Sequence, residues 1–118
     1  MAFNAVTRTE TLVPKLIIDP VHPPVVRGCT FKANNGVLEA GTIIAVDANR
    51  DYVAYDASAS DTTKEPKGVL DEDIDTSKQT VGRVLLHGVA VRENVKTKAG
   101  AATQDDIDAL AAAGVYAL

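Results

Sequence analysis

The amino-acid sequence predicts a mainly β domain with one short C-terminal helix and an extended N-terminal arm. Three observations lead there. From Arg27 onward the apolar residues come in short β-branched runs punctuated by Gly, Asn and Asp, the pattern of strands joined by turns. Helical spacing is found near the C-terminus, where Ile107, Leu110 and Ala111 fall at i, i+3 and i+4. Four of the five prolines, Pro14, Pro20, Pro23 and Pro24, lie in residues 1–26, where each removes a backbone donor and fixes φ.

Taken in order, residues 1–26 are too proline-rich for a helix and too apolar for a solvated tail, since Leu12, Val13, Leu16, Ile17, Ile18, Val21, Val25 and Val26 stand between the prolines. Such an arm either packs on its own domain or adds as a strand to another chain's sheet edge, and the sequence leaves both open. The β domain is expected over residues 27–118. Residues 27–32 read as its first strand, and Asn34-Asn35-Gly36 is a turn because all three residues tolerate positive φ. Residues 42–46 and 52–55 form a hairpin around Asp47-Ala48-Asn49-Arg50-Asp51. Residues 56–63 are a polar loop, 67–70 a strand, and 81–91 one bent strand or two short ones, broken by Gly82 and Gly88. Five or six strands are expected in all. Thr103 with Asp106 three positions on marks a helix start, and Gly114 its end. The helix is placed over 104–113, with a last strand over 115–118.

Composition narrows the function. At 118 residues the chain has room for one domain. With 46% hydrophobic but only 4% aromatic residues, its core is expected to be thin and aliphatic, and a domain of this size has a small stability margin that favours oligomers. Twelve Lys and Arg against 16 Asp and Glu give a net charge of -4, which argues against nucleic acid as a partner, because phosphate binding is carried by basic side chains. Cys29 is the single cysteine and has no internal disulfide partner. The longest apolar run, residues 109–113, is far short of the ~20 needed to span a bilayer, and no secretory h-region is visible. A soluble, unexported protein without a membrane partner is expected.

The candidates for chemistry are sparse. Cys29 as nucleophile with His22 or His87 as base would need contacts that spacing does not establish; a buried inert thiol and a structural His87 at a strand bend are the plainer readings. Asp71-Glu72-Asp73-Ile74-Asp75 places carboxylates at alternate positions, as a calcium loop does. Yet Thr76 stands where that loop needs glycine and Gly82 where it needs a bidentate Glu, so a solvated turn is expected instead. Phosphate-loop, dinucleotide, nucleophile-elbow and zinc-protease motifs are all missing. No catalytic, cofactor or metal residue is assigned.

One ordered series goes beyond a generic β domain. It runs Leu38-Glu39-Ala40-Gly41-Thr42-Ile43-Ile44, Tyr52-Val53-Ala54-Tyr55-Asp56, Pro66-Lys67-Gly68-Val69-Leu70, Asp71-Glu72-Asp73-Ile74-Asp75, Val84-Leu85-Leu86-His87-Gly88-Val89, Glu93-Asn94 and finally Ala109-Leu110-Ala111-Ala112-Ala113-Gly114-Val115-Tyr116. Over about residues 25–118 this series resembles the head decoration proteins of tailed bacteriophages, the family of the lambda capsid-stabilising protein D.

The resemblance implies a β-clip-like domain that assembles as a homotrimer on the outer surface of the expanded head, after synthesis in the cytoplasm of a bacterial host. It implies a cement protein and no enzyme, with the major capsid protein as partner and the N-terminal arm ordered by pairing with capsid strands. The residues on which that role falls are Thr9, Thr11, Leu12, Val13, Leu16, Ile17 and Ile18. Burying such side chains contributes about 1.5–3 kcal/mol each, while ordering the backbone costs ~1–2 kcal/mol per residue. The arm is therefore expected to be mobile in the free trimer and fixed on the particle. The alternatives are a small β-clip enzyme or ligand-binding module, or a subunit of another phage assembly such as a tail.

Overall fold

The computed structural model describes residues 16–118. Over them the strands are β1 (Ile18–Asp19), β2 (Val25–Thr30), β3 (Val37–Leu38), β4 (Ile43–Val46), β5 (Tyr52–Ala54), β6 (Pro66–Leu70), β7 (Ile74–Asp75), β8 (Val81–Ala90), β9 (Lys96–Thr97), β10 (Gly100–Ala101) and β11 (Val115–Ala117). One α-helix, α1 (Gln104–Ala112), precedes β11, and short 3-10 turns cover Thr62–Lys64 and Arg92–Asn94. The chain is thus a mainly β domain with its helix near the C-terminus.

Strand β8 is the hub. Its first half is flanked by β2, with Cys29 opposite Gly82 and Val26 opposite Leu85, and on the other edge by β6, with Val69 opposite Leu85. From β6 the sheet continues through β4 to β5, all antiparallel. The second half of β8 carries β1, with Ile18 opposite Ala90, and β11 running parallel, with Tyr116 opposite Val89. A parallel neighbour needs a long crossover, and α1 lies within it.

Side chains alternate across a strand, and here both faces of the sheet are covered. Ile43, Ala45, Val69 and Leu85 pack on one face with Ile17, Ile107, Leu110 and Val115. Ile44, Leu70 and Val84 pack on the other with Cys29, Phe31, Leu38 and Ile74. Burial on both faces is why the central strands read as continuous apolar runs rather than alternating ones. The core is aliphatic, with Phe31 its largest fully buried side chain. The face holding α1 is tied by Tyr55, whose hydroxyl donates to Asp106 Oδ1 at 3.2 Å. Asp106 also accepts from the Thr103 N–H at 3.0 Å while its own N–H donates to Thr103 Oγ1 at 3.3 Å, the reciprocal cap expected from the sequence.

The differences from the sequence reading are local but informative. Residues 81–90 form one continuous strand. Gly82 is needed there because a methyl group would stand 3.1 Å from Ile74 Cγ2 and 3.2 Å from Phe31 Cε1, and Gly88 adopts φ +136°. The first domain strand begins at Val25 rather than residue 27 and ends at Thr30. Pro66, one residue before the strand expected over 67–70, opens β6. The additional strands β1, β3, β7, β9 and β10 are two residues each, too short to leave a period-2 signal.

The division at residue 26 is also corrected. Ile17 is only 2% exposed and sits in the core, and β1 and β2 are both laddered to β8. Residues 16–26 therefore belong to the domain. An Ile at position 17 fills the space beside Gly41, whose φ is +95° and where an added methyl would stand 3.5 Å from Ile17 Cδ1.

Two glycine substitutions separate packing from backbone freedom. Gly68→Ala puts a methyl into the Leu85 carbonyl and 2.7 Å from Val84 Cγ1, and should lower the denaturation free energy by on the order of 3 kcal/mol. Gly36→Ala, at φ +87° with open space around it, should cost about 1 kcal/mol. Urea titration of both variants checks the order; equal losses would mean that the β6–β8 approach is not tight.

Candidate functional site

The residues expected to form a capsid-binding arm divide in two. Thr9, Thr11, Leu12 and Val13 lie outside the described residues. Of the remainder, Leu16 is 62% exposed, while its carbonyl accepts from Asn94 Nδ2 at 2.8 Å. Ile17 is buried, and its carbonyl accepts from the Val91 N–H at 2.8 Å. Ile18 is half-buried in β1. Ile17 thus anchors the chain in its own core, which removes it from a free arm, while Ile18 is laddered to β8 with its side chain half-buried. The sequence signal for this was the apolar Leu16-Ile17-Ile18 run itself, which fits an intramolecular strand as well as an intermolecular one.

Next to this entry point lies an apolar surface. Val21 is 74% exposed and Val25 50%, and Val26 is also exposed. Among the described residues β2 is laddered to another named strand only along its β8 edge, so its other edge presents the backbone donors and acceptors of a sheet margin. Five of the six β2 residues are exposed. A sheet edge of this kind can accept an extended segment as an added strand.

The chemistry-bearing residues are dispersed. Cys29 and His87 occupy opposite ends of the β2–β8 ladder, Cys29 opposite Gly82 and His87 opposite Val25. Cys29 is a free, buried thiol. Burial pushes it above the ordinary 9.0, opposed by the Tyr52 hydroxyl and by Arg27. A raised thiol is a poor nucleophile at neutral pH. His87 is exposed and instead meets His22, with 3.3 Å between their Nε2 atoms.

The carboxylates of residues 71–75 point to separate tasks. Asp71 pairs with Arg83 at 3.0 Å, and Glu72 Oε2 accepts from the Arg83 N–H at 2.8 Å. Asp73 Oδ1 accepts from the Ala40 N–H at 2.7 Å, and Asp75 Oδ1 from the Ser77 N–H at 3.0 Å. Each carboxylate is used to fix a turn or a neighbouring strand. Among the described residues no group of three or more His, Cys, Asp or Glu converges on one point. No helix among them is long and apolar enough to cross a membrane.

Two measurements test these placements. Ile17→Ala should destabilise the isolated domain by about 2–5 kcal/mol, whereas Leu16→Ala should change stability little; a neutral Ile17→Ala would return residue 17 to the arm. The second concerns alkaline pH. Burial raises Cys29 above 9.0 and Tyr52 and Tyr55 above 10.0, so the folded state keeps protons that the unfolded state has released. Their contribution is complete below pH 9.0 and is lost as pH rises through the raised values. The urea midpoint should therefore fall above that pH, and a midpoint that climbs there contradicts the assigned burial.

Comparison with protein-family models and with the sequences of curated proteins gave no match to this chain.

Proposed function

We propose that this protein is a capsid decoration protein, a homotrimer that binds the outer surface of an expanded phage head and cements the major capsid protein against the pressure of packaged DNA. The observation that carries this reading is the N-terminal entry: Ile17 is locked in the core and β1 is laddered to β8, beside the exposed valines of β2. The segment before Leu16, with Thr9, Thr11, Leu12 and Val13, is thereby attached at a sheet margin next to an apolar surface. A cementing protein needs such a fixed root, since an arm without one transmits no load to the domain.

The ordered sequence series supports the reading as well. Its pieces fall on successive parts of one domain: β3 to β4, β5, β6, β7, β8, the turn at Arg92–Asn94, and α1 with β11.

The energetics favour many weak contacts. With Ile17 committed to the core and Ile18 half-buried, Leu12, Val13 and the exposed Leu16 are the large apolar side chains left to the arm positions. They contribute roughly 1.5–3 kcal/mol each on burial, against ~1–2 kcal/mol per ordered residue. One arm alone binds weakly. Three joined in a trimer act at high effective concentration, so that the particle is held although each contact exchanges.

The test has two parts. Light scattering on the purified chain should give three times its 12.4 kDa. Deleting residues 1–15 should leave the far-ultraviolet spectrum and the urea midpoint unchanged but abolish co-sedimentation with expanded heads lacking their decoration protein, with Leu12→Asp reducing it in part. A monomer that binds heads equally well with and without those residues would rule the mechanism out.

A further inference from the structure

The imidazoles of His22 and His87 converge by their Nε2 atoms, 3.3 Å apart, with ring centroids separated by 5.3 Å and planes inclined at 71°. Both side chains are exposed, so burial does not force them together. The backbone does. The chain leaves β8 after Asp19, opposite Val89, and returns at Val25, opposite His87. His22 sits on the excursion between these points, directly before Pro23 and Pro24, whose rings fix φ. Pro24 in turn lies against Gly88, where an added methyl would stand 3.2 Å from Pro24 Cα. On its far side the His87 ring is backed by the α1–β11 turn, since a methyl on Gly114 would lie 3.0 Å from His87 Nδ1. The loop that carries His22 is thus packed against β8 so that the two rings face each other.

We propose that His22 and His87 form a two-histidine site for a divalent transition-metal ion of the zinc class, with the remaining coordination positions taken by water. Zn–N bonds of about 2.0–2.1 Å at a tetrahedral angle place two nitrogens about 3.3 Å apart. The observed separation is that of one edge of such a coordination shell, so the backbone need not move. Each ring must present its Nε2 lone pair. In the metal-free pair one Nε2 carries the proton and donates to the other; on metal binding that proton is relocated to Nδ1 of the same ring through solvent, and no net charge leaves the protein. Imidazole nitrogen selects Zn2+, Ni2+ or Cu2+ over Mg2+ and Ca2+, which want oxygen. Asp19, the nearest carboxylate in the loop's sequence, is engaged by the Val21 N–H at 3.0 Å. A metal bridging the rings would pin the loop between β1 and β2 to β8, and binding to the folded state alone stabilises it. This site is independent of the decoration reading and is measured on the isolated protein.

Titration calorimetry of the full chain with zinc chloride in a non-chelating buffer should show one ion per chain and a rise in thermal midpoint, with magnesium chloride giving neither. His22→Gln and His87→Gln should each weaken zinc binding at least tenfold and remove the midpoint rise. Ring NMR of the unmodified protein provides the second readout: zinc should convert both histidines to the Nδ1–H form, and trace Cu2+ should broaden residues 22 and 87 first. The proposal is overturned if no saturable binding occurs up to millimolar zinc, if either variant binds as the parent does, or if broadening starts elsewhere, for instance at residues 71–75.

Discussion

The structure depends on a close approach between β6 and β8 that leaves both faces of the sheet available for burial. Gly68 allows the β6 backbone to lie against the Leu85 carbonyl, and Val69 and Leu70 then point to opposite sides, as do Leu85 and Val84. A chain with few aromatic residues has no large ring with which to fill a thick core on one side. It compensates by burying side chains on both faces of its central strands, at the expense of a tight tolerance at glycine.

The sheet also decides where the two ends of the described chain meet. β8 is long enough to receive β2 at one end and β1 with β11 at the other, so the first described residues and the last ones meet on the same strand. Ile17 enters the core beside Ala90 and Val95, and the Arg92 N–H donates to the Leu118 carbonyl at 3.1 Å. The N-terminal side of the described chain is therefore rooted in the core of the domain. The exposed valines of β2 and its unladdered margin lie next to that root, an arrangement suited to a partner that adds to a sheet edge or caps it.

The polar groups of the domain serve mainly to fix its turns. Asp73, Asp75, Asp106 and Thr103 each accept a backbone N–H, and Asp56, which accepts from the Ser58 N–H and hydroxyl and pairs with Lys98 at 3.1 Å, is held at about 2. A carboxylate tied in this way orders the backbone and is not at liberty to shuttle protons. The histidine pair stands apart, because its two nitrogens face each other at the surface rather than a backbone group.

What could be read from the residues alone was whatever local chemistry decides. The Asn34-Asn35-Gly36 turn has Asn34 at φ 56° and Gly36 at φ +87°, the capped helix starts after Thr103, and the strand runs from residue 42 to 91 stand close to their expected places, because turn residues, caps and β-branched runs act over a few positions. Tertiary structure decided the rest. Whether Leu16-Ile17-Ile18 serves its own domain or another chain depends on the space beside Gly41 and on the free edge of β8, neither of which is a property of those three residues. The pairing of β3 with β7, the parallel course of β11 and the meeting of His22 with His87 join positions far apart in the chain, and their energies come from contacts that exist only once the sheet has formed.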